Sequence, residues 1–264
     1  MSESVKASVL IPSYGRSKSL EECLESLRAQ TFKSFEVLIN GEEGQLAAIR
    51  NKLAKQAKGE YLAFIDDDVI CSPGWLAAIV RTFEERSRCA GVSGPALITP
   101  EFRRNRDIFS FRLGKRLYDF WFCNGRSSLP GHITKSGAWT TGACEDNCSY
   151  EGPVHFLEAC NMAFNARVFR ELGGFDTAYK GVGDWSEPDL AFKARRRGYG
   201  LWFCRDARLE HRPSKSGAYL KRTTDSNNRL SNYELFSKRW IKPCWEHEFY
   251  KMFIRGYYVI KSSQ

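Results

Sequence analysis

Asp66-Asp67-Asp68 close an apolar stretch, Tyr61 to Ile65, and this run of carboxylates carries the most readable chemistry in the sequence. Neighbouring carboxylates repel and lose solvation at the end of a buried strand, so something positive is expected beside them. Hard oxygen ligands suit Mg2+ or Mn2+, which complete their shells with phosphate oxygens and water. The plainer reading is an exposed acidic turn ahead of the helix that Pro73 opens. A second acidic pair, Glu187 and Asp189, opens a helix ending near Arg197 and complements its dipole whatever else it does. Cys123, Cys144, Cys148 and Cys160, with His132 and His155 between them, lack the paired C-x2-C spacing of zinc ribbons, so structural zinc is disfavoured.

The elements that must position the triad alternate strand and helix over the first hundred residues, which predicts βαβ crossovers and a mainly parallel sheet. Ala7 to Pro12 reads as a strand, and Ser19 with Glu22 as a capping box for a helix burying Leu20, Cys23, Leu24 and Leu27. Phe35 to Ile39 is a second strand, followed by a helix on Leu46, Ile49 and Leu53. Tyr61 to Ile65 is the third strand; Pro73 then starts a helix with Trp75, Leu76, Ile79 and Val80, and Cys89 to Gly94 begins a fourth strand. In open α/β sheets ligands bind at the carboxyl ends of the strands, where the aspartates lie. Periodicity dissolves from Thr99 to about Gly152 and returns at Leu157 to Phe164, ahead of a helix that Gly173-Gly174 stops. The last 35 residues read as one or two amphipathic helices in which Tyr233, Phe236, Trp240, Trp245, Phe249 and Phe253 recur among lysines and arginines.

Of 264 residues 42% are hydrophobic and 14% aromatic, which excludes a disordered chain. Net charge is +9, and residues 205–264 hold 13 Lys+Arg against 6 Asp+Glu. That excess would attract nucleic acid, anionic headgroups or phosphate-bearing small molecules, and charge alone does not choose among them. Met1 to Lys6 has no signal-peptide pattern, and no apolar run reaches the roughly 18 to 20 residues of a spanning helix. Nine cysteines at irregular spacing suggest reduced thiols, so the expected location is cytoplasmic, with any membrane contact peripheral and on the inner face.

Ile11-Pro12-Ser13-Tyr14-Gly15-Arg16, Ala48-Ile49-Arg50-Asn51, Phe64-Ile65-Asp66-Asp67-Asp68, Gly173-Gly174-Phe175-Asp176, Trp185-Ser186-Glu187-Pro188-Asp189-Leu190 and His211 occur in that order. Together they resemble the family 2 glycosyltransferases over roughly Ala7 to Arg212, apart from the 99–152 stretch. The resemblance implies an α/β, GT-A-like domain over 1–212, containing an insertion or acceptor-side region at 99–156, with a basic helical extension at 213–264. It implies a nucleotide-sugar donor and a divalent metal, with inversion in one displacement. By position, Asp68 is the metal-bound aspartate, Asp66 and Asp67 hold the ribose or a metal-bound water, and His211 approaches the metal; Asp66 is also a metal candidate. Pro12, Ser13, Tyr14 and Arg16 line the base pocket, and Arg50 falls in the family's A-R-N helix on the donor side.

Glu187 matches the family's general base, which accepts the proton of the attacking acceptor hydroxyl. Trp185 and Asp189 are expected on the acceptor side, with Trp185 either a sugar-stacking platform or a core residue. Where the family usually shows an aspartate pair that reads the nucleobase, this sequence has Asn40-Gly41-Glu42-Glu43-Gly44, and Glu42 or Glu43 stands in. UDP-sugars are the expected donors and a glycan or lipid-linked molecule the acceptor; nucleic acid is disfavoured. Two rivals stand beside this: a sugar nucleotidyltransferase, whose glycine-rich triphosphate loop is missing after the first strand, and a non-catalytic protein that binds nucleotide sugar, nucleic acid or membrane.

Overall fold

The computed structural model describes residues 5–14, 17–98, 112–140, 142, 148–213 and 226–262. Strand β1 (Ala7–Pro12) has all six residues buried, as does β3 (Tyr61–Ile65) with its five, which is what near-continuous apolar strands require when both faces of a sheet are covered. β1 pairs in parallel with β2 (Phe35–Asn40) on one side and β3 on the other. β8 (Asn161–Asn165) lies antiparallel between β3 and β5 (Cys89–Ser93); β9 (Gly200–Phe203) follows parallel to β5, and β7 (Gly152–Pro153) ends the sheet antiparallel to β9. The order is β2-β1-β3-β8-β5-β9-β7, with β2, β1, β3, β5 and β9 all pointing the same way. The expected α/β architecture is therefore present, and only β8 and the edge strand β7 run against the majority.

Helices α1 (Ser17–Arg28) and α3 (Trp75–Glu85) cover one face, where Val9, Ile11, Ala63 and Ile65 meet Cys23, Leu27, Trp75 and Ile79. The opposite face takes Leu10, Leu62 and Phe64 into a second core with α2 (Leu46–Gln56), α5 (Ala166–Glu171) and α6 (Ser186–Arg196). Alternate residues of each strand thus feed alternate cores. Two helix starts differ from expectation. α1 begins at Ser17, so Ser19 sits inside it rather than capping it, and α3 begins at Trp75 with Gly74 as N-cap, leaving Pro73 just outside.

The aperiodic region contains α4 (Arg112–Tyr118), which runs into a π-turn over Asp119–Cys123, and an isolated bridge between Ile133 and Trp139. Of its described aromatics, Tyr118 and Phe122 pack on α8 (Trp245–Ser262), which follows α7 (Ser226–Trp240), while Trp139 stacks on Trp185. Phe122 meets Tyr250 at 4.9 Å and Phe253 at 5.0 Å between ring centroids, and Tyr233, Phe236 and Tyr250 enter the same core as Leu10 and Phe164. Cys144 lies outside the described residues, so the cysteine group is not assembled here. Cys123, Cys148 and Cys160 are all buried. Among the described residues no helix is long and apolar enough to cross a membrane.

Candidate active site

A three-stranded sheet, β4-β10-β6, builds the site at the end of β3. β4 (Val69–Cys71) starts one residue after Asp68, and β10 (Leu209–His211) pairs with it antiparallel so that His211 faces Val69; β6 (Ala96–Ile98) flanks β10. This register lays His211 against the aspartates although 142 positions separate it from Val69. His211 Nε2 lies 3.2 Å from Asp68 Oδ1, and the Arg212 backbone N–H donates to the Asp68 carbonyl at 2.8 Å. Asn161 braces the arrangement from the start of β8. Its amide donates to the carbonyls of Pro95 (3.1 Å) and Ala207 (2.8 Å) and accepts from Trp75 Nε1 (2.9 Å).

Asp66, Asp68 and His211 each offer a ligand atom, all within 4.8 Å of one another, the metal-type grouping present among the described residues. Two carboxylates and an imidazole fit Mn2+ or Mg2+, oxygen ligands being the first requirement of such ions. His211 Nδ1 is buried with no hydrogen-bond partner, so the ring retains a donor atom that the protein does not satisfy. Asp67, fully buried, is held differently: Ser13 Oγ donates to its Oδ2 at 2.6 Å, and Ser13 N–H donates to the Asn40 carbonyl at 2.9 Å. Pro12 and Ser13, at the carboxyl end of β1, are thereby tied to the triad. Burial, reinforced by the Asp67, Asp68 and Asp66 carboxylates, pushes the Cys23 thiol up to about 12, a sign of how negative this end of the sheet is.

Arg50 is the element that sequence reading placed without its partner. It projects from α2, is 1% exposed, and puts Nη1 2.5 Å from Glu187 Oε1, Nη2 3.6 Å from Asp66 Oδ1 and Nη2 2.9 Å from the Ala159 carbonyl. One guanidinium thus joins the carboxylate expected to accept a proton to a carboxylate of the metal group. Its neighbour Asn51 fixes the glycine turn, donating to the Phe175 carbonyl (2.8 Å) and accepting from Phe175 N–H (2.9 Å). Gly174 is required there, because a Cβ would come 2.5 Å from Asn51 Oδ1 and the backbone φ is +72°.

Tyr14 is exposed beside the end of β1, and Glu42 points outward, its carboxylate paired with Lys52 Nζ at 2.6 Å, which lowers its pKa. Arg16 lies outside the described residues. Two acceptor-side expectations are corrected. Trp185 is 4% exposed and stacks on Trp139 at 4.8 Å, with Phe236 and Tyr233 on its other sides, so it is a core residue and not a sugar platform. Asp189 is fully buried and takes hydrogen bonds from Tyr179 Oη (3.0 Å), Arg239 Nη1 (3.1 Å) and Trp240 Nε1 (2.8 Å), with Lys193 Nζ at 2.7 Å. It clasps α6 to α7. Lys193 at i+4 was the one signal of this in the sequence.

The sequence matches the family described as Glycosyl transferase family 2 over residues 8–40 and 38–134. A glucosyl-dolichyl phosphate glucuronosyltransferase of Haloferax volcanii is 23% identical over 209 residues, covering 68% of this chain and 59% of that protein. The stretch that resembles family 2 glycosyltransferases is thus the N-terminal part of the chain, residues 8–134. Among solved structures, a mannosyltransferase from Pyrobaculum calidifontis in complex with GDP-Man and Mn2+ matches with TM-score 0.57 at 16% identity, over 96% of this chain and 69% of that one. GalNAc-T7 with UDP, GalNAc and Mn2+ matches with TM-score 0.63 at 15% identity, over 91% of this chain and 49% of that one. At such identities the likeness is one of fold, and that fold is GT-A. The chain spans about three fifths of the curated relative's length.

Proposed function

We propose that this chain is an inverting glycosyltransferase that moves a sugar from a nucleotide-sugar donor to an acceptor hydroxyl. The observation that carries the reading is the Arg50 guanidinium lying against both Glu187 and Asp66, which sets a buried carboxylate beside the Asp66–Asp68–His211 group. Asp66, Asp68 and His211 would hold Mn2+ or Mg2+, which would supply positive charge beside the departing diphosphate. Asp67, Ser13, Pro12 and Tyr14 form the donor side at the carboxyl ends of β1 and β3, where open α/β sheets bind ligands, with Glu42 beyond the end of β2 as a further donor candidate. Glu187 accepts the proton of the acceptor hydroxyl as its oxygen bonds to the anomeric carbon and the bond to the diphosphate breaks. Without that acceptor the hydroxyl is a poor nucleophile.

UDP-sugars are the first donors to test and GDP-mannose the second, since the two solved relatives carry UDP and GDP-Man. Release of nucleoside diphosphate from a donor panel with Mn2+ identifies the donor. Glu187→Gln then lowers turnover by roughly 10^2 while donor affinity holds. Loss of donor affinity with turnover intact at saturation would assign Glu187 to binding instead.

A lipid-linked acceptor, reached from the inner face of a membrane, is the more specific form of the reading. It is supported by the glucosyl-dolichyl phosphate named for one relative and by exposed Phe120 (71%), Trp121, Trp245, Phe249 and Met252 (71%). Trp121 meets Phe249 at 5.8 Å, and positions 245, 249 and 252 share one face of α8; Arg116, Arg126 and Lys242 are exposed on the same elements or beside them. Apolar rings rimmed by cations suit an anionic bilayer interface. Salt-sensitive co-sedimentation with phosphatidylglycerol vesicles, weakened in Phe120→Ser/Met252→Ser, is expected; no binding at low salt refutes it.

A further inference from the structure

The loop that delivers Glu187 does not hold its own shape. Its backbone takes positive φ at Gly181 (60°), Gly183 (74°) and Trp185 (79°), and the last of these is not a glycine. Such a conformation persists only where its surroundings over-determine it. Gln45 donates to the Thr177 and Tyr179 carbonyls and Trp139 stacks on Trp185, but the longest series of contacts comes from one face of α7. Arg229 Nε donates to Asp184 Oδ2 at 2.6 Å. Asn232 brackets Lys180, accepting from its N–H at 2.8 Å and donating to its carbonyl at 2.9 Å. Tyr233 and Phe236 pack on Trp185 at 5.2 and 4.8 Å. Arg239 Nη1 donates to Asp176 Oδ2 at 2.7 Å and to Asp189 Oδ1 at 3.1 Å. Residues 229, 232, 236 and 239 recur at three or four, with 233 beside 232 and four after 229, so a single helix face follows the segment 176–189.

We infer that α7 is a positioning element for the proton-accepting half of the site, with Arg229, Asn232 and Arg239 as its positioning residues. The inference rests on the glycosyl-transfer reading, in which Glu187 must meet the acceptor hydroxyl. The donor half has braces of its own that do not involve α7: Asp66 to Asp68 end β3, β10 carries His211, Ser13 and Asn161 hold them, and Arg50 of α2 is the link from Asp66 to Glu187. A displacement of about 1 Å in a reacting group costs on the order of 10^2-fold in rate. Loosening α7 therefore slows transfer and leaves donor binding alone. A helix that merely stabilised the fold would affect both halves together.

The test compares wild type with Arg229→Ala, Arg229→Lys, Asn232→Ala and, as a control on the exposed face of α7, Lys238→Ala. Three readouts are needed: hydrogen exchange by peptide, UDP affinity with Mn2+ by calorimetry, and kcat and KM for transfer. The expected result is faster exchange confined to residues 176–190, UDP affinity within about twofold of wild type, and kcat lower by on the order of 10^2-fold. Arg229→Lys, which keeps a cation for Asp184, recovers most of kcat, and Lys238→Ala matches wild type. Unchanged kcat with unchanged exchange overturns the inference. So does parallel loss of UDP affinity, kcat and protection across the sheet. If wild type transfers no sugar from any donor while exchange rises locally in the variants, the glycosyl-transfer reading fails and the hold of α7 on the loop stands.

Discussion

Arg50 and Glu187 form a buried ion pair, Nη1 to Oε1 2.5 Å, with both side chains under a tenth exposed. Taking two charges out of water is costly, and the pair is retained because each compensates the other where neither could stay alone. The same guanidinium also faces Asp66, so its charge is shared between two carboxylates of the site.

Removing Arg50 is therefore more damaging than neutralising Glu187. Arg50→Ala strands Glu187 without its cation and lowers unfolding free energy by about 3–5 kcal/mol. Glu187→Gln keeps an oxygen to accept from Nη1 and leaves Asp66 beside the cation, so its cost is smaller. Urea unfolding of the two variants orders them, and equal stability would show that the pair is not the main partner of either group.

Metal binding should be visible without any turnover. A cation that binds only the folded chain stabilises it by about 2.7 kcal/mol at one hundred times its dissociation constant. Mn2+ raises the Tm of wild type, and excess EDTA returns it. In Asp68→Ala the Mn2+ shift disappears and transfer is abolished. An equal shift in wild type and variant would move the metal elsewhere.

Trp185 separates packing from backbone strain. Truncation to Ala loses the stack on Trp139 and the contacts to Phe236, at about 3–5 kcal/mol for an aromatic removed from a core. Trp185→Gly loses the same contacts but relieves φ +79°, a conformation that costs an L-residue about 1–2 kcal/mol. The Gly variant is thus expected to be the more stable of the two in thermal or urea unfolding, in the same sense as the ordinary preference for Gly over Ala at an N-cap. If Ala is more stable, the positive φ is not strained in solution.

His155 gives a pH signature. Burial, with the Arg195 and His132 charges adding to it, pushes its imidazole down from 6.5 to about 4. Between those values the unfolded chain binds the proton and the folded chain does not, so stability rises with pH through this window. The contribution is fully present above about 6.5 and lost as pH falls toward 4. Subtracting the Tm profile of His155→Gln from that of wild type isolates it from the carboxylates that titrate below pH 5. A difference that is flat from pH 7 to 4 would contradict the shift.

What the sequence made legible was local. The triad stood out because five apolar residues lead straight into it, and the strands that point its way alternate with helices at regular spacing. His211 was placed through the family resemblance, and the β4–β10 register supplies the physical reason. Arg50 was expected on the donor side, and its pairing with Glu187 joins α2 to α6 across 137 positions, which no local pattern encodes. The burial of Asp189 was not foreseen, and Trp185 stayed open between platform and core, for the same reason. Their partners Phe236, Arg239 and Trp240 come from about fifty positions downstream, so an exposed helix start and a buried one look alike in sequence. The region 112–140 had no readable period, and its Tyr118 and Phe122 answer to α8.

The core that receives Leu10 and Phe164 is completed by Tyr233, Phe236 and Tyr250. Chains are synthesised from the N-terminus at about 5–20 residues per second, so every strand of the central sheet leaves the ribosome seconds before the helices that cover Trp139 and Trp185. During that interval the half-made molecule shows water an aromatic surface, and transiently exposed surface of this kind is what makes nascent chains stick to one another. The time of greatest risk during synthesis is thus the interval before residues Ser226 to Ser262 emerge. A ribosome that stalls before Ser226 would present a sheet already built and a face still open, a substrate for chaperones that a chain stalled within the first few strands would not yet be.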